Sequence, residues 1–368
     1  MKSVVLIPYC PWPPDTGTKV EMIKPLQVLR ELGPCTIASA RSRPVGAGWT
    51  EDSIRALRDQ GFDLVFREET DRRHARQIPG MLFAVFCKAL RMERAFGYGN
   101  PYHRYAFTEQ WWRKVTEGAD LAVMQYGFWA RFRSACPQAV ILHELLSNYQ
   151  WGGSRRETRD LAKADLVVVV GYDEEATLRE RGLRHVLWSP PAVPAASFEV
   201  TPEIGMISTL APQNIEGLQW LQSAKNGAEA PFVHVYGSAA KVVLAPFLKP
   251  VGRYEDRFDP YRRCGIQLLT RDDRPGLQIK AVEALACGRA IVARRGSMRG
   301  LPAGDGAWIE VTSPEEMLVE AKRLRENAEE REVLGRAANA FYERYLDEQR
   351  ILDHLKKAFQ GLVKNPKQ

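Results

Sequence analysis

The sequence predicts an α/β fold built from two Rossmann-like domains. A chain of 368 residues is too long for one ordinary hydrophobic core, which suggests two domains. Residues 2–7 form a buried-strand pattern that is followed by a glycine-bearing loop and a helical pattern over 20–32, the order that opens a Rossmann-like domain. The order of strand, turn and helix starts again at residue 204. The proline-rich segment Ser189–Pro194 between the two halves predicts the linker.

Composition limits the class of protein and its partners. The net charge of +7 favours polyanionic or membrane-surface partners, although it says nothing about the fold. The six cysteines are scattered without a CxxC pair, and no histidine stands at metal-ligand spacing. This pattern predicts a reducing compartment, no structural zinc and no metal cofactor. The N-terminal apolar run is too short for a signal peptide, so a cytoplasmic location is expected, with peripheral contact at the inner face of the membrane as an option.

Basic and aromatic residues interleave over residues 74–114. Such a segment suits an interfacial membrane contact or a carbohydrate-diphosphate acceptor. Single-stranded nucleic acid, bound by stacking on the aromatic rings, is a second option. An ordinary pair of helices with aromatic residues in the core is a third, and the sequence leaves all three open.

Two predicted parallel strands of the first half, 121–124 and 139–142, end in polar residues. Gln125 and Tyr126 follow the first strand, and His143 and Glu144 follow the second. Ligands bind where parallel strands end, so both pairs are candidates for a binding cleft. His143 also has a plain structural interpretation, as a histidine satisfied by its neighbours.

The most informative stretch of the chain runs over residues 274–293. Pro275-Gly276 predicts a turn that lets backbone approach a ligand, and a helix with one buried stripe follows from Leu277. Gly288 is expected to end this helix in a left-handed conformation. The amides of Gly276, Leu277 and Gln278 then form a candidate anion site at the helix start.

Two further expectations concern residues outside this site. Arg289, just after the helix cap, is expected to face solvent, and residues 337–359 are expected to form a single long amphipathic helix.

Lys280 and Glu283 lie three residues apart on this helix, so they share a face and can reach one ligand. The run Lys280-Ala-Val-Glu283-Ala-Leu-Ala-Cys-Gly288 resembles the donor-site signature of family 4 glycosyltransferases of the GT-B fold. The loop Pro13-Pro-Asp15-Thr-Gly17-Thr-Lys19 is similar to the opening of the sugar transferases of bacterial exopolysaccharide biosynthesis within that family. The sequence departs from the signature at Pro275, where the family has its first glutamate. It also lacks the usual arginine and lysine in the turn over 209–217.

The resemblance implies a fold, a reaction and a set of site residues. It implies a GT-B fold with an acceptor-binding domain over 1–190 and a nucleotide-sugar-binding domain over 198–340 that faces it across a cleft. A C-terminal helix and tail over 341–368 would cross back to the first domain. The implied reaction transfers a hexose-type sugar, with retention, from a nucleoside diphosphate sugar to a saccharide, lipid-linked or other hydroxyl acceptor. In this reading Glu283 holds the ribose, Lys280 and Arg299 supply positive charge, and His143 holds the acceptor; the remaining donor-binding candidates are Gly17, Gly237, Val251, Gly252, Arg253, Gly276, Leu277 and Gln278.

Three alternatives remain open from the sequence. A sugar-nucleotide epimerase would share the double fold, but its usual Asp-Ser-Gly-Gly loop is missing from this sequence. A nucleic-acid-modifying glycosyltransferase or a basic nucleic-acid binder would use the stretch over 74–114. A catalytically inactive sugar-nucleotide sensor would account for Pro275 and for the missing arginine and lysine.

Overall fold

A computed structural model describes residues 1–14, 17–41, 48–70, 82, 86, 106–148 and 153–364. The chain forms two compact units. The first comprises Met1–Pro190 together with Ile351–Gln368, and the second comprises Pro191–Arg350. Both units are α/β, as the sequence predicts.

The first unit is organised around a seven-stranded parallel sheet with the order β3-β2-β1-β4-β5-β6-β7. Strand order reverses beside β1, which pairs with β2 on one side and with β4 on the other. A reversal of this kind places the carboxyl ends of β1 and β4 next to a crevice. The strands are β1 (Ser3–Leu6), β2 (Cys35–Ser39), β3 (Phe62–Phe66), β4 (Leu121–Gln125), β5 (Gln138–Leu142), β6 (Leu166–Val169) and β7 (Val186–Trp188).

Both faces of this sheet are buried, which is why its strands are almost uniformly apolar. Val4 and Leu6 point into one core cluster with Trp112, whereas Val5 points into another with Leu26. The helices around the sheet are α1 (Gly17–Leu32), α2 (Glu51–Asp59), α3 (Arg67–Thr70), α4 (Glu109–Val115), α5 (Ser154–Leu161) and α6 (Tyr172–Glu180).

The second unit contains a six-stranded parallel sheet with the order β10-β9-β8-β11-β12-β13. Its central strand β8 again has neighbours from both directions of the chain, so the topology of the first unit is repeated. The strands are β8 (Ile204–Ile207), β9 (Val233–Tyr236), β10 (Leu248–Gly252), β11 (Ile266–Leu269), β12 (Ala290–Arg294) and β13 (Ile309–Val311). The helices are α7 (Pro212–Gln222), α8 (Asp259–Arg263), α9 (Ile279–Ala286), α10 (Pro314–Glu326) and α11 (Ala328–Tyr345).

The C-terminal region corrects one prediction. The single helix expected over 337–359 is two helices, because α11 ends at Tyr345 and α12 (Glu348–Lys364) begins after a break. Asp347 causes the restart, since its Oδ1 accepts a hydrogen bond of 2.8 Å from the Arg350 amide and so caps α12. Leu355 and Phe359 of α12 are buried in the core of the first unit.

The basic and aromatic stretch lies largely outside the described residues. At the C-terminal end of this stretch, which the structure describes, three aromatic rings are buried in the core of the first unit: Phe107, Trp111 and Trp112. For these three rings the interpretation as helices with aromatic residues in the core is confirmed. Leu82 and Phe86 are exposed, and the rest of residues 74–105 is not described. Within the described chain, every helix is too short or too polar to cross a membrane.

Candidate functional site

The helix α9 carries both of the charged residues that the signature singles out. It begins at Ile279, with Gln278 as its N-cap, rather than at Leu277 as predicted. The amides of Gly276 and Leu277 therefore belong to the preceding loop, where Gly276 has a φ of +88° that favours glycine. At the other end Gly288 has a φ of +58°, and the Arg289 amide donates to the Ala284 carbonyl oxygen at 3.0 Å. The predicted left-handed cap is confirmed.

Lys280 lies in the first turn of α9 and reaches across to the end of β8. Its Nζ donates to the Ile207 carbonyl oxygen at 2.9 Å and to Asn214 Oδ1 at 3.4 Å. Burial lowers the pKa of Lys280 to about 8, and the nearby Arg271 adds to this effect while Glu283 opposes it. A half-buried cation thus stands beside the turn over 209–217, which carries no lysine or arginine of its own.

Glu283 is held by two residues that local sequence pattern does not predict. Its Oε1 accepts hydrogen bonds from Arg257 Nη2 at 2.6 Å and from Arg257 Nε at 3.2 Å. The Tyr261 hydroxyl donates to Glu283 Oε2 at 2.7 Å. Burial raises the pKa of the neighbouring Tyr254 to about 12, with the charge of Glu283 as a second cause. The hydrogen bonds from Arg257 and Tyr261 therefore fix the orientation of the carboxylate.

Two glycine turns lie beside the end of β8. The Gly237 amide donates to the Gly252 carbonyl oxygen at 2.7 Å, so the turns after β9 and β10 are joined. Gly237 has a φ of +94°, and a Cβ atom there would lie 2.3 Å from the Ser208 carbonyl oxygen. Only glycine fits such a close approach. The Val251 and Arg253 side chains on either side of Gly252 are exposed.

Arginines hold the two loops that flank the start of α9. The Arg271 guanidinium donates to the carbonyl oxygens of residues 274, 275 and 276, and so fixes the turn that contains Gly276. Arg299 pairs with Asp273 at 3.3 Å, and about a third of its side chain is exposed. The buried Gln278 side chain donates from Nε2 to the Ser297 carbonyl oxygen at 2.7 Å, which ties the two loops together. Gln278 is thus a structural link through its side chain.

The expectation that Arg289 faces solvent is wrong. Its side chain is only 2% exposed. Its Nε donates to the Cys287 carbonyl oxygen at 2.7 Å, and its two Nη atoms donate to the carbonyl oxygens of Glu199 and Phe198, both at 2.9 Å. The position after a helix cap usually faces water, but here the segment after the linker folds over it and its carbonyl groups need donors.

A second polar cluster lies at the carboxyl ends of β4 and β5 in the first unit. His143 Nε2 lies 3.2 Å from Gln125 Oε1, and burial lowers the pKa of His143 to about 4. The Tyr126 ring packs on the imidazole with centroids 4.4 Å apart. The Tyr126 hydroxyl also lies 2.5 Å from the Tyr9 hydroxyl. Gly17, the remaining predicted residue of this unit, is the first residue of α1, whereas Asp15 of the same loop lies outside the described residues.

Two buried carboxylates hold the loop that follows His143. Glu174 Oε1 accepts from the Leu145 amide at 2.8 Å. Glu157 Oε1 accepts from the Leu146 amide at 2.8 Å. Burial raises the pKa of Glu174 from its ordinary value of 4.5 to about 7 and raises the pKa of Glu157 as well. Local sequence pattern does not predict this support, because acidic residues at helix starts are usually solvated.

The raised pKa of Glu174 predicts a pH-dependent stability. The folded state binds this proton more tightly than the unfolded chain, so the free energy of unfolding should fall as pH rises from about 4.5 to about 7. Urea unfolding of the wild type and of Glu174→Gln at pH 5 and pH 8 measures this. The wild type should lose on the order of 2 kcal/mol more than the variant between the two pH values. Equal losses would show that Glu174 does not titrate in this range.

Among the described residues, no group of three or more histidine, cysteine, aspartate or glutamate side chains is arranged to hold a metal ion. The second unit does bring together a half-buried ammonium and a fixed carboxylate on one helix face, beside the closely packed turns after β8, β9 and β10. This combination can bind an anionic group and a hydroxyl-bearing group of one ligand.

Solved structures resemble the chain over nearly its whole length. Anabaena HepE, crystallised with UDP-glucose, matches with a TM-score of 0.66 and 13% identity, over 98% of this chain and 100% of that chain. TarM of S. aureus matches with a TM-score of 0.69 and 11% identity, over 98% of this chain and 99% of that chain. A glycosyltransferase from Rickettsia africae matches with a TM-score of 0.64 and 11% identity, over 99% of both chains. No protein-family model and no curated protein sequence matches the chain. At these identities the likeness establishes the fold, and the predicted α/β GT-B class with two Rossmann-like domains is confirmed.

Proposed function

We propose that this protein is a glycosyltransferase that moves a hexose-type sugar from a nucleoside diphosphate sugar to a hydroxyl acceptor. The observation that carries the proposal is the pair of Lys280 and Glu283 on α9, with the Lys280 ammonium at the end of β8 and the Glu283 carboxylate one turn further along the helix. The fold agrees with it, since HepE of the same fold was crystallised with UDP-glucose.

In this proposal the donor binds to the second unit. Negative charge grows on the leaving diphosphate as the sugar departs, and a preorganised cation stabilises that charge best when it is already desolvated. Lys280 meets this requirement in part, because its ammonium is half-buried and held by the Ile207 carbonyl oxygen. The first-turn amides of α9 add a smaller contribution through the helix dipole. Glu283 accepts hydrogen bonds from the ribose hydroxyls, with Tyr261 and Arg257 holding the carboxylate in place. Arg299, at the rim of the site, contributes more weakly because it is solvated and already paired.

Glu283→Gln should weaken nucleotide binding and remove most of the activity while the fold stays intact. Glutamine offers one acceptor oxygen in place of two, and the lost charge-assisted hydrogen bond should cost roughly 1.5 to 3 kcal/mol. Calorimetric titration with nucleoside diphosphates measures the change in affinity. Glu332→Gln on the exposed side of α11 is the matched control and should bind as the wild type does. A folded Glu283→Gln variant with wild-type affinity would remove Glu283 from the site.

We further propose that the acceptor, a saccharide, a lipid-linked sugar or another hydroxyl compound, binds to the first unit near His143. A role in polysaccharide biosynthesis follows from the resemblance to exopolysaccharide sugar transferases. A cytoplasmic protein with peripheral contact at the inner face of the membrane agrees with this role, since lipid-linked acceptors reside there. Nucleic acid as acceptor is the less favoured alternative.

The product should retain the anomeric configuration of the donor, as the resemblance implies. Inversion would need a carboxylate that acts as a general base on the acceptor hydroxyl, and Asp15 and Glu144 are the candidates for that task in the first unit. NMR of the anomeric proton of the product decides the stereochemistry. An inverted product would contradict the resemblance and would make Asp15 or Glu144 the first residue to mutate.

A sensor that binds nucleotide sugars without turnover is the second candidate. Pro275 supports it, because its position offers no carboxylate to the sugar and its carbonyl oxygen is engaged by Arg271. The two candidates differ in a simple assay. An enzyme releases nucleoside diphosphate from its donor in the presence of hydroxyl acceptors or slowly in water, whereas a sensor binds the donor and returns it unchanged.

A further inference from the structure

Two hydrogen bonds link α1 to Gln125 and Gln125 to His143, and in each of them only one assignment of donor and acceptor is possible. The Met22 carbonyl oxygen in α1 can only accept, so the partner 2.7 Å away must be the amide nitrogen of Gln125. Gln125 Oε1 therefore faces His143 Nε2 at 3.2 Å, and this oxygen can also only accept. His143 Nε2 must then carry the hydrogen. Because a neutral imidazole has one N–H, its Nδ1 is left as an acceptor.

The surrounding residues hold the side chains of Gln125 and His143 in one arrangement. Gln125 is completely buried, and the side chain cannot turn its amide around without losing both hydrogen bonds. The Tyr126 ring packs against the imidazole on one side and stacks on Phe128, with ring centroids 5.2 Å apart and planes 7° apart. Tyr126 adopts a φ of +73°, which is rare for an aromatic residue and marks strain of the kind found at functional sites. Burial without a charge partner keeps His143 neutral at pH 7.

We propose that Gln125 is a positioning residue that holds His143 in the Nε2–H tautomer, so that Nδ1 accepts a hydrogen bond from a substrate hydroxyl. Within the described part of the chain, Nδ1 has no hydrogen-bond partner, in contrast to Nε2. The ligand is a compound whose hydroxyl group donates a hydrogen bond to Nδ1. The aromatic rings of Tyr9, Tyr126 and Phe128 near His143 suit the apolar face of a sugar ring. The role of the hydroxyl rests on the proposed function, whereas the tautomer does not.

The tautomer can be measured directly on the full-length protein. Long-range ¹H–¹⁵N NMR of the ¹⁵N-labelled protein at pH 7.5 distinguishes a protonated ring nitrogen from an unprotonated one, and the His143 signals are those lost in His143→Gln. The inference predicts a protonated Nε2 and an unprotonated Nδ1 in the wild type, and a mixture of both tautomers in Gln125→Met. An Nδ1–H tautomer or an imidazolium in the wild type would overturn the inference without any mutant.

A matched pair of variants tests the hydroxyl role. An asparagine at position 143 places a polar group near the former Nδ1, whereas a glutamine places it near the former Nε2. With a panel of methyl glycosides as hydroxyl probes, His143→Asn should keep the acceptor KM within about threefold of the wild type, and His143→Gln should raise it roughly tenfold, the equivalent of one lost hydrogen bond. The reverse order would assign the substrate contact to Nε2 and contradict the inference.

The two arms separate the inference from the proposed function. If the wild type transfers no sugar and cleaves no donor, the proposed function fails, and the NMR measurement alone decides the role of Gln125. If transfer occurs and both His143 variants act like the wild type, the hydroxyl role fails although the proposed function stands.

Discussion

Replacing Lys280 by alanine is expected to lower the rate of donor cleavage by about a hundredfold or more, the usual cost of removing one preorganised donor from a developing oxyanion. Lysine in the first turn of a helix opposes the helix dipole, so its presence there does not serve the stability of α9. Its ammonium is instead partly desolvated at the end of β8, where it donates to the Ile207 carbonyl oxygen. A positive charge in this position is therefore explained by an anion that binds beside it.

Release of nucleoside diphosphate from the donor measures the effect, with Lys241→Ala on an exposed turn as the control. The pKa of about 8 adds a second signature. Deprotonation removes the cation, so kcat/KM of the wild type should fall as pH rises above about 8, whereas Lys280→Arg should show no such fall because arginine does not titrate there. A Lys280→Ala variant as active as Lys241→Ala would remove Lys280 from the mechanism.

Arg289→Ala should be among the most destabilising single substitutions in the second unit. The guanidinium is buried and donates to three carbonyl oxygens within 2.9 Å, those of Cys287, Phe198 and Glu199. Its removal leaves these groups without a donor and opens a cavity, at a cost of roughly 3 to 5 kcal/mol. Arg289 also approaches the carbonyl oxygen of Tyr261 at 3.4 Å, so donor affinity should fall as the support of Glu283 loosens.

Urea unfolding of Arg289→Ala checks this expectation. Arg336→Ala is the matched control, because this arginine on α11 is mostly exposed and forms an exposed ion pair with Glu332. The control should change the free energy of unfolding by less than about 0.5 kcal/mol. Equal stability of the two variants would mean that the backbone around residues 198–199 satisfies its carbonyl groups without Arg289.

The fold could be predicted from the sequence more completely than the candidate site. The strands could be predicted from short apolar runs bounded by turn residues, because a strand that is buried on both faces is apolar along nearly its whole length. The shared face of Lys280 and Glu283 was equally predictable, since residues three apart on a helix are neighbours. The break before α12 could have been found from Asp347, a residue that favours the N-cap position and is followed by an acidic first turn.

The partners of the charged residues could not be predicted from local pattern. Arg257 and Tyr261 stand 26 and 22 residues before Glu283 in the chain, with β11 in between, so local pattern does not show that they meet. Asn214, which contacts Lys280, is separated from it by 66 residues. The burial of Arg289 cannot be predicted from local pattern for the same reason, because two of its acceptors come from a segment some 90 residues earlier.

Binding of a nucleoside diphosphate sugar to the second unit should depend on Lys280. Calorimetric titration of the wild type, Lys280→Ala and Lys241→Ala with a panel of nucleoside diphosphate sugars, UDP-glucose among them, tests it most directly. At least one nucleotide sugar should bind the wild type and Lys241→Ala equally well and bind Lys280→Ala roughly tenfold or more weakly. Binding of no donor in the panel, or equal binding by all three proteins, would contradict it.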